Sequence, residues 1–103
     1  MTVQEFMTKS GASMHMKGYD MLKQAIELRI ANPDTSVGDI FLKISIKSDC
    51  TIYAVEKNIK TVLLKAYPLM DQKLKNTIFM NRTSVTVAEY IKNVAYAIRN
   101  RII

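Results

Sequence analysis

From Val55 to Ala66 the apolar residues Val55, Ile59, Val62, Leu63 and Ala66 fall at i, i+4, i+7, i+8 and i+11. That spacing closes into one stripe along an α-helix and would scatter over both faces of a strand. The segment therefore predicts a helix from about Thr51 to Tyr67, with one buried face and Pro68 at its end. Other segments keep the same rhythm. Leu22, Ala25, Ile26 and Arg29-Ile30 mark a helix from His15 or Met16 to Ile30, stopped by Asn32-Pro33. Val37, Ile40, Phe41 and Ile44 follow Ser36-Val37-Gly38-Asp39, a capping-box variant in which the serine accepts a backbone N–H and the acidic residue reaches back. A short first helix over Val3 to Lys9 ends at Ser10-Gly11, where glycine suits a left-handed residue. Leu69 to Phe79 holds a short fifth helix, and Ser84 to about Arg101 a sixth with Val87, Tyr90, Ile91, Val94 and Ile98 inward. With only two prolines and three glycines to interrupt them, these elements predict an all-α fold, a compact bundle of about six helices. There is no internal repeat or low-complexity segment.

A chain of 103 residues that is 49% hydrophobic can bury a core without metal or disulfide staples, so residues 1–103 read as a single domain. No apolar run approaches the roughly 20 residues that span a bilayer. The first residues, Met-Thr-Val-Gln-Glu-Phe, have neither the charged nor the apolar region of a secretory signal. The one cysteine, Cys50, cannot form an intramolecular disulfide, and the expectation is a cytoplasmic protein with no membrane contact.

Charge is distributed unevenly. Residues 1–42 carry four basic and five acidic side chains. Residues 43–75 carry seven lysines (Lys43, Lys47, Lys57, Lys60, Lys65, Lys73, Lys75) against Asp49, Glu56 and Asp71, and residues 76–103 carry four basic side chains against Glu89. The net +6 therefore sits in the middle and C-terminal parts, a field that attracts polyanions, nucleic acid above all. A solvated lysine-rich surface explains that charge equally well, so position has to decide.

Position favours DNA. A helix of roughly 11 residues, a connection of about four (Lys47-Ser48-Asp49-Cys50) and a longer second helix have the proportions of a helix-turn-helix, here with the polar connection also able to cap the second helix. The second helix of such a unit lies in the major groove, so its outward face must touch base edges and phosphates. At 100° per residue, Tyr53, Lys57, Lys60, Thr61 and Leu64 lie opposite the apolar stripe, with Ala54 and Glu56 at its flanks. Lysine suits phosphates or guanine acceptors, Glu56 the cytosine amino group, and Thr61 a phosphate.

Two motifs carry a family resemblance. His15-Met16-Lys17-Gly18-Tyr19, followed by Leu22, Ala25 and Ile26, resembles the His-Ile-Lys-Gly-Tyr segment that opens a helix in the C-terminal effector domain of the master sporulation response regulator of endospore-forming bacteria. From Ser36-Val37 through Ile44-Ser45 to Val55-Glu56-Lys57, Ile59-Lys60 and Ala66-Tyr67, the chain is similar to that family's helix-turn-helix, whose recognition helix has Val-Glu-Arg, Ile-Arg and Ala-Trp at the same spacing. The resemblance is close over residues 11–67 and loose over residues 78–103. It implies a six-helix, sequence-specific transcription-factor domain with double-stranded DNA as ligand, RNA polymerase among its partners, tandem self-association on DNA and no cofactor. Carried over, the base and phosphate positions fall on Ala54, Glu56, Lys57, Lys60 and Thr61. With the connection and the start of the helix, the candidate DNA-binding set is Lys47, Ser48, Thr51, Tyr53, Ala54, Glu56, Lys57, Lys60 and Thr61. The family's first recognition arginine is Ala54 here, two further arginines are Lys57 and Lys60, and a histidine is Thr61. Lysine cannot reproduce arginine's bidentate fork, which leaves the exact DNA box open. The family's receiver domain has no counterpart in residues 1–14.

Other chemistries find less support. His15 is expected to be a cap or packing residue, and no second histidine exists to build a metal site with Cys50. A Cys50 and His15 nucleophile pair has no orienting third group. Cys50 is expected to be half-buried. The seven methionines read as core filler rather than as a plastic peptide-binding surface. No Gly-rich phosphate loop is present and the acidic residues are scattered, so the chain is not expected to be an enzyme. The competing function is a degenerate helical protein-interaction module that has lost base reading at Ala54, with Tyr53 and Leu64 available for docking.

Overall fold

Five of the six helices begin at a side-chain cap, which supplies an acceptor for N–H groups that have no partner in the first turn. In the computed structural model, which describes all 103 residues, α1 (Val3–Lys9) starts at Thr2, α3 (Val37–Ser48) at Ser36, α4 (Ile52–Ala66) at Thr51, α5 (Gln72–Phe79) at Asp71 and α6 (Val87–Arg99) at Thr86. Each cap oxygen accepts from the backbone N–H three residues on, at 3.0–3.1 Å. Reciprocal capping boxes close at Thr2 and Thr86, where the third residue is a glutamate. The box expected at Ser36 closes on one side only. Asp39 is one methylene shorter than glutamate and makes no return bond.

The exception is α2 (Tyr19–Ala31), which has no side-chain cap and begins later than the expected His15 or Met16. Residues 13–18 form successive turns, with Met16 N–H donating to the Ser13 carbonyl at 3.1 Å and Tyr19 N–H to that of Met16 at 3.0 Å. The cause is tertiary. Gly18 lies against α4 so closely that a Cβ there would be 2.2 Å from the Asn58 carbonyl oxygen and 2.9 Å from Val62 Cγ2. Gly11, at φ +83°, ends α1 in the expected left-handed conformation and meets the far end of α4, where a Cβ would be 2.9 Å from the Ala66 oxygen.

Helix α2 is the centre of the bundle, packing against α1, α3, α4 and α6. Leu22, Ala25 and Ile26 join Ile40, Phe41 and Ile44 of α3, the whole α4 stripe, and Tyr90, Ile91, Val94 and Ala95 of α6 in one buried cluster. Val87 and Ile98, expected inward on α6, are half-buried, whereas Ala95 and Ala97 are buried. Ala66 passes through a 3-10 turn (Tyr67–Leu69) containing Pro68, so the fifth helix begins at Gln72 rather than Leu69. The sixth likewise begins three residues beyond Ser84, after its Thr86 cap. Met7, Met21 and Met70 fill core positions while Met14 and Met80 are exposed.

An aromatic column ties the later helices together. Tyr67 meets Phe79 edge to face at 5.4 Å, Phe79 stacks on Tyr90 at 5.4 Å, and Tyr90 meets Phe6 of α1 at 6.1 Å. The radius of gyration, 12.5 Å, is that of a fully collapsed chain of this length. There is no strand, and no helix is long and apolar enough to cross a membrane.

Candidate nucleic-acid interface

The connection between α3 and α4 is tighter than its composition indicates. Lys47 and Ser48 continue α3 by their backbone bonds, and the connection is Asp49, Cys50 and Thr51 alone. Asp49 adopts the left-handed conformation (φ 53°, ψ 50°), which a short polar side chain tolerates better than most. Cys50 N–H donates to the Ser45 carbonyl at 3.0 Å, and Thr51 then caps α4. One left-handed residue and one cap reverse the chain. The result is a helix-turn-helix in which Val55, Ile59, Val62, Leu63 and Ala66 are buried, as the stripe requires.

With that face inward, the opposite face is fixed. Tyr53, Lys57, Lys60, Thr61 and Leu64 are all exposed, Tyr53 by 74% and Leu64 by 70%, in a ridge along the length of α4. Glu56 is exposed beside it, and Ala54 is half-buried at its edge. Lys47, Ser48 and Thr51 are exposed at the approach to the helix. All nine candidate residues thus belong to one continuous stretch of the helix-turn-helix. Two hydroxyls there are already engaged. Thr51 Oγ1 accepts from the Ala54 N–H and keeps its proton to donate, whereas Thr61 donates its proton to the Lys57 carbonyl at 2.9 Å.

Electrostatically the face is unneutralised. The one ion pair in the protein joins Arg82 to Glu89, so Lys47, Lys57, Lys60 and Lys65 have no counter-ion within the chain. The first turn of α4 has no acidic residue, and its N-terminal N–H groups add a partial positive charge there. This arrangement attracts an anion with closely spaced charges and presents Glu56 as a single acceptor within it.

A second wall faces this ridge that helical spacing does not mark. Across a groove of about 520 Å³ from Glu56, Lys60 and Leu64 lies the segment Thr83 to Ala88, which places the Thr83 and Ser84 side chains beside the basic edge of α4. That segment is held at three points. Tyr67 donates its hydroxyl to the Arg82 carbonyl at 2.7 Å, Arg82 pairs with Glu89, and Glu89 closes the Thr86 capping box. Burial raises the Tyr67 pKa and keeps this donor protonated. The hydrogen bond from Arg82, with those from Thr86, holds the Glu89 carboxyl below its ordinary range. The polar run Asn81-Arg82-Thr83-Ser84 was the only sequence signal for a loop here.

His15, expected to cap or pack, is exposed, and its side chain makes no hydrogen bond. Cys50 is half-buried in the turn, as expected. No group of three His, Cys, Asp or Glu side chains is placed to hold a metal ion.

Comparison with curated proteins gives no match. Comparison with known families matches residues 3–98 to the one described as sporulation initiation factor Spo0A C terminal. The match reaches into all six helices, including the part beyond Tyr67 where the sequence motifs resemble the family only loosely. With the all-helical architecture and the helix-turn-helix geometry in agreement, the chain belongs to the Spo0A C-terminal family of DNA-binding sporulation regulators.

Proposed function

We propose that this chain binds double-stranded DNA sequence-specifically and regulates transcription, with α4 lying in the major groove. The observation that carries the reading is the exposed, cationic ridge of α4, the second helix of a helix-turn-helix, opposite its buried apolar stripe. In this arrangement Tyr53, Ala54, Glu56 and Lys57, toward the N-terminal end of α4, meet base edges, as in other helix-turn-helix proteins. Lys57 donates to guanine acceptors and Glu56 accepts from a cytosine amino group. Lys47, Ser48, Thr51 and Lys60 contact the sugar-phosphate backbone, Thr51 through the proton its capping role leaves free. Thr61 reaches a phosphate only by turning its hydroxyl away from Lys57, so it is the weakest member of the set. Thr83 and Ser84 add hydroxyl donors for the strand along the Lys60 edge. Two copies on adjacent sites raise each other's effective concentration without a strong protein contact, and RNA polymerase is the partner through which bound copies act.

The test is binding to duplex DNA over a range of salt, followed by selection from a random duplex pool. Counterion release makes log affinity fall linearly with log salt, with a slope of about −0.9 per phosphate neutralised. A steep slope and an enriched motif are expected. No binding at low salt overturns the proposal, and binding without enrichment overturns its sequence-specific part.

A further inference from the structure

The first turn of α4 is short of the groups that read DNA by hydrogen bonding. Ile52, Tyr53 and Ala54 precede Glu56 and Lys57, and none of the three carries a charge or a side-chain amide. Tyr53 is 74% exposed, makes no aromatic pair with another residue, and its hydroxyl bonds to nothing in the protein. An apolar ring is thus held at the head of a lysine-bearing face, where hydration alone would favour a polar residue. Fold stability does not explain it, because the ring leaves the α4 core contacts unaffected.

We infer that the Tyr53 ring, with the Ala54 methyl beside it, reads the C5-methyl group of thymine in the major groove. The inference rests on α4 being the recognition helix. Among the four bases, guanine, cytosine and adenine present only donors and acceptors in that groove, and thymine alone adds an apolar group. The surrounding lysines bring a duplex to this face, and the ring covers apolar surface once it arrives. Position is constrained as well. Tyr53 and Lys57 are four residues apart, about 6 Å along the helix axis, against about 3.4 Å per base step along a strand. The thymine therefore lies one or two base pairs from the pair that Lys57 contacts.

The test takes the best duplex from a random-pool selection and replaces its thymines one at a time by deoxyuridine, which keeps the pairing and removes only the methyl group. At one position affinity is expected to fall about three- to tenfold, the loss of one buried methyl. Tyr53→Phe keeps that sensitivity. Tyr53→Ala binds the thymine duplex more weakly and no longer distinguishes deoxyuridine at that position, with an unchanged melting temperature showing that the fold is intact. If affinity is indifferent to every methyl, or Tyr53→Ala remains as sensitive as the parent, the inference is overturned while DNA binding stands, and the ring is free for another partner. A chain that binds no duplex refutes the DNA reading and this inference with it.

Discussion

Replacing Gly18 by alanine tests how α2 meets α4. The added Cβ would lie 2.2 Å from the Asn58 carbonyl oxygen and 2.5 Å from its carbon, where ordinary contact begins near 3.4 Å. Both neighbours are backbone atoms in the middle of α4, so no side-chain rotation relieves the clash. One helix must retreat by about 1 Å, and overpacking of this kind costs about 1–3 kcal/mol, with a backbone neighbour placing it at the upper end. A loss near 3 kcal/mol is a large part of the 5–15 kcal/mol that holds a domain together, and lowers the melting temperature by roughly 12–24 °C at this size. Gly38 is the internal control. It lies in the first turn of α3, its Cβ would approach nothing nearer than Ser36 Oγ at 3.8 Å, and Gly38→Ala should stabilise by about 0.4–1 kcal/mol through the unfolded state. Urea unfolding followed by circular dichroism, with the slope unchanged, measures both. Should Gly18→Ala cost less than about 0.5 kcal/mol, the close approach of α2 to α4 is wrong.

Within α4, Lys57→Ala should cost about 1–3 kcal/mol of binding and relax preference at one base pair, whereas Lys60→Ala should weaken all duplexes alike and reduce the salt slope by about one. Equal small losses for Lys57→Ala, Lys60→Ala and the control Lys73→Ala would reduce the face to a general basic field. Glu56→Ala should broaden the selected motif with little loss of affinity, and a uniform gain on every sequence would contradict its role in base reading. The Tyr90 hydroxyl is buried without a partner, so Tyr90→Phe should be neutral or stabilise by about 1 kcal/mol in thermal unfolding, and a marked loss would reveal a partner for it. Because the Glu89 carboxyl is held below its ordinary 4.5, its stabilisation is complete above that pH and is lost as pH falls through the lowered folded value. Denaturation midpoints of the parent and Glu89→Gln should therefore converge toward acid, and divergence would show that the carboxyl is not held this way.

What the sequence disclosed depended on the range of the interaction. The α4 stripe, the capping residue Ser36 and the left-handed Gly11 express forces that act within a few residues, and each is legible from spacing and residue type. The start of α2 is not, because Gly18 answers to Asn58, forty residues later. Lys47 and Ser48 looked like a connection because they are polar, yet a solvent-facing last turn of a helix is polar too. Only the cap at Thr51 and the left-handed Asp49 define where the turn lies. On the exposed face of α4, the ridge could be read from the 100° repeat. The facing wall of Thr83 and Ser84 could not, since it depends on Tyr67 reaching across to Arg82. Tyr90 fitted an apolar stripe so well that its stranded hydroxyl left no trace in the pattern.

The aromatic column has a bearing on which partner bends. Tyr67 closes α4 at one end, anchored through Phe79 and Tyr90 to Phe6, while Thr51 closes it at the other and Gly18 presses on its middle. A rod fixed at three places cannot curve or rotate to follow an imperfect groove. If it enters one, the duplex has to supply the adjustment, and the elastic cost of narrowing, bending or untwisting a duplex depends on base steps that no side chain touches. Stiffness in the protein thereby becomes selectivity at silent positions: flexible pyrimidine–purine steps flanking the contacted bases should raise affinity, and stiff tracts at the same places should lower it.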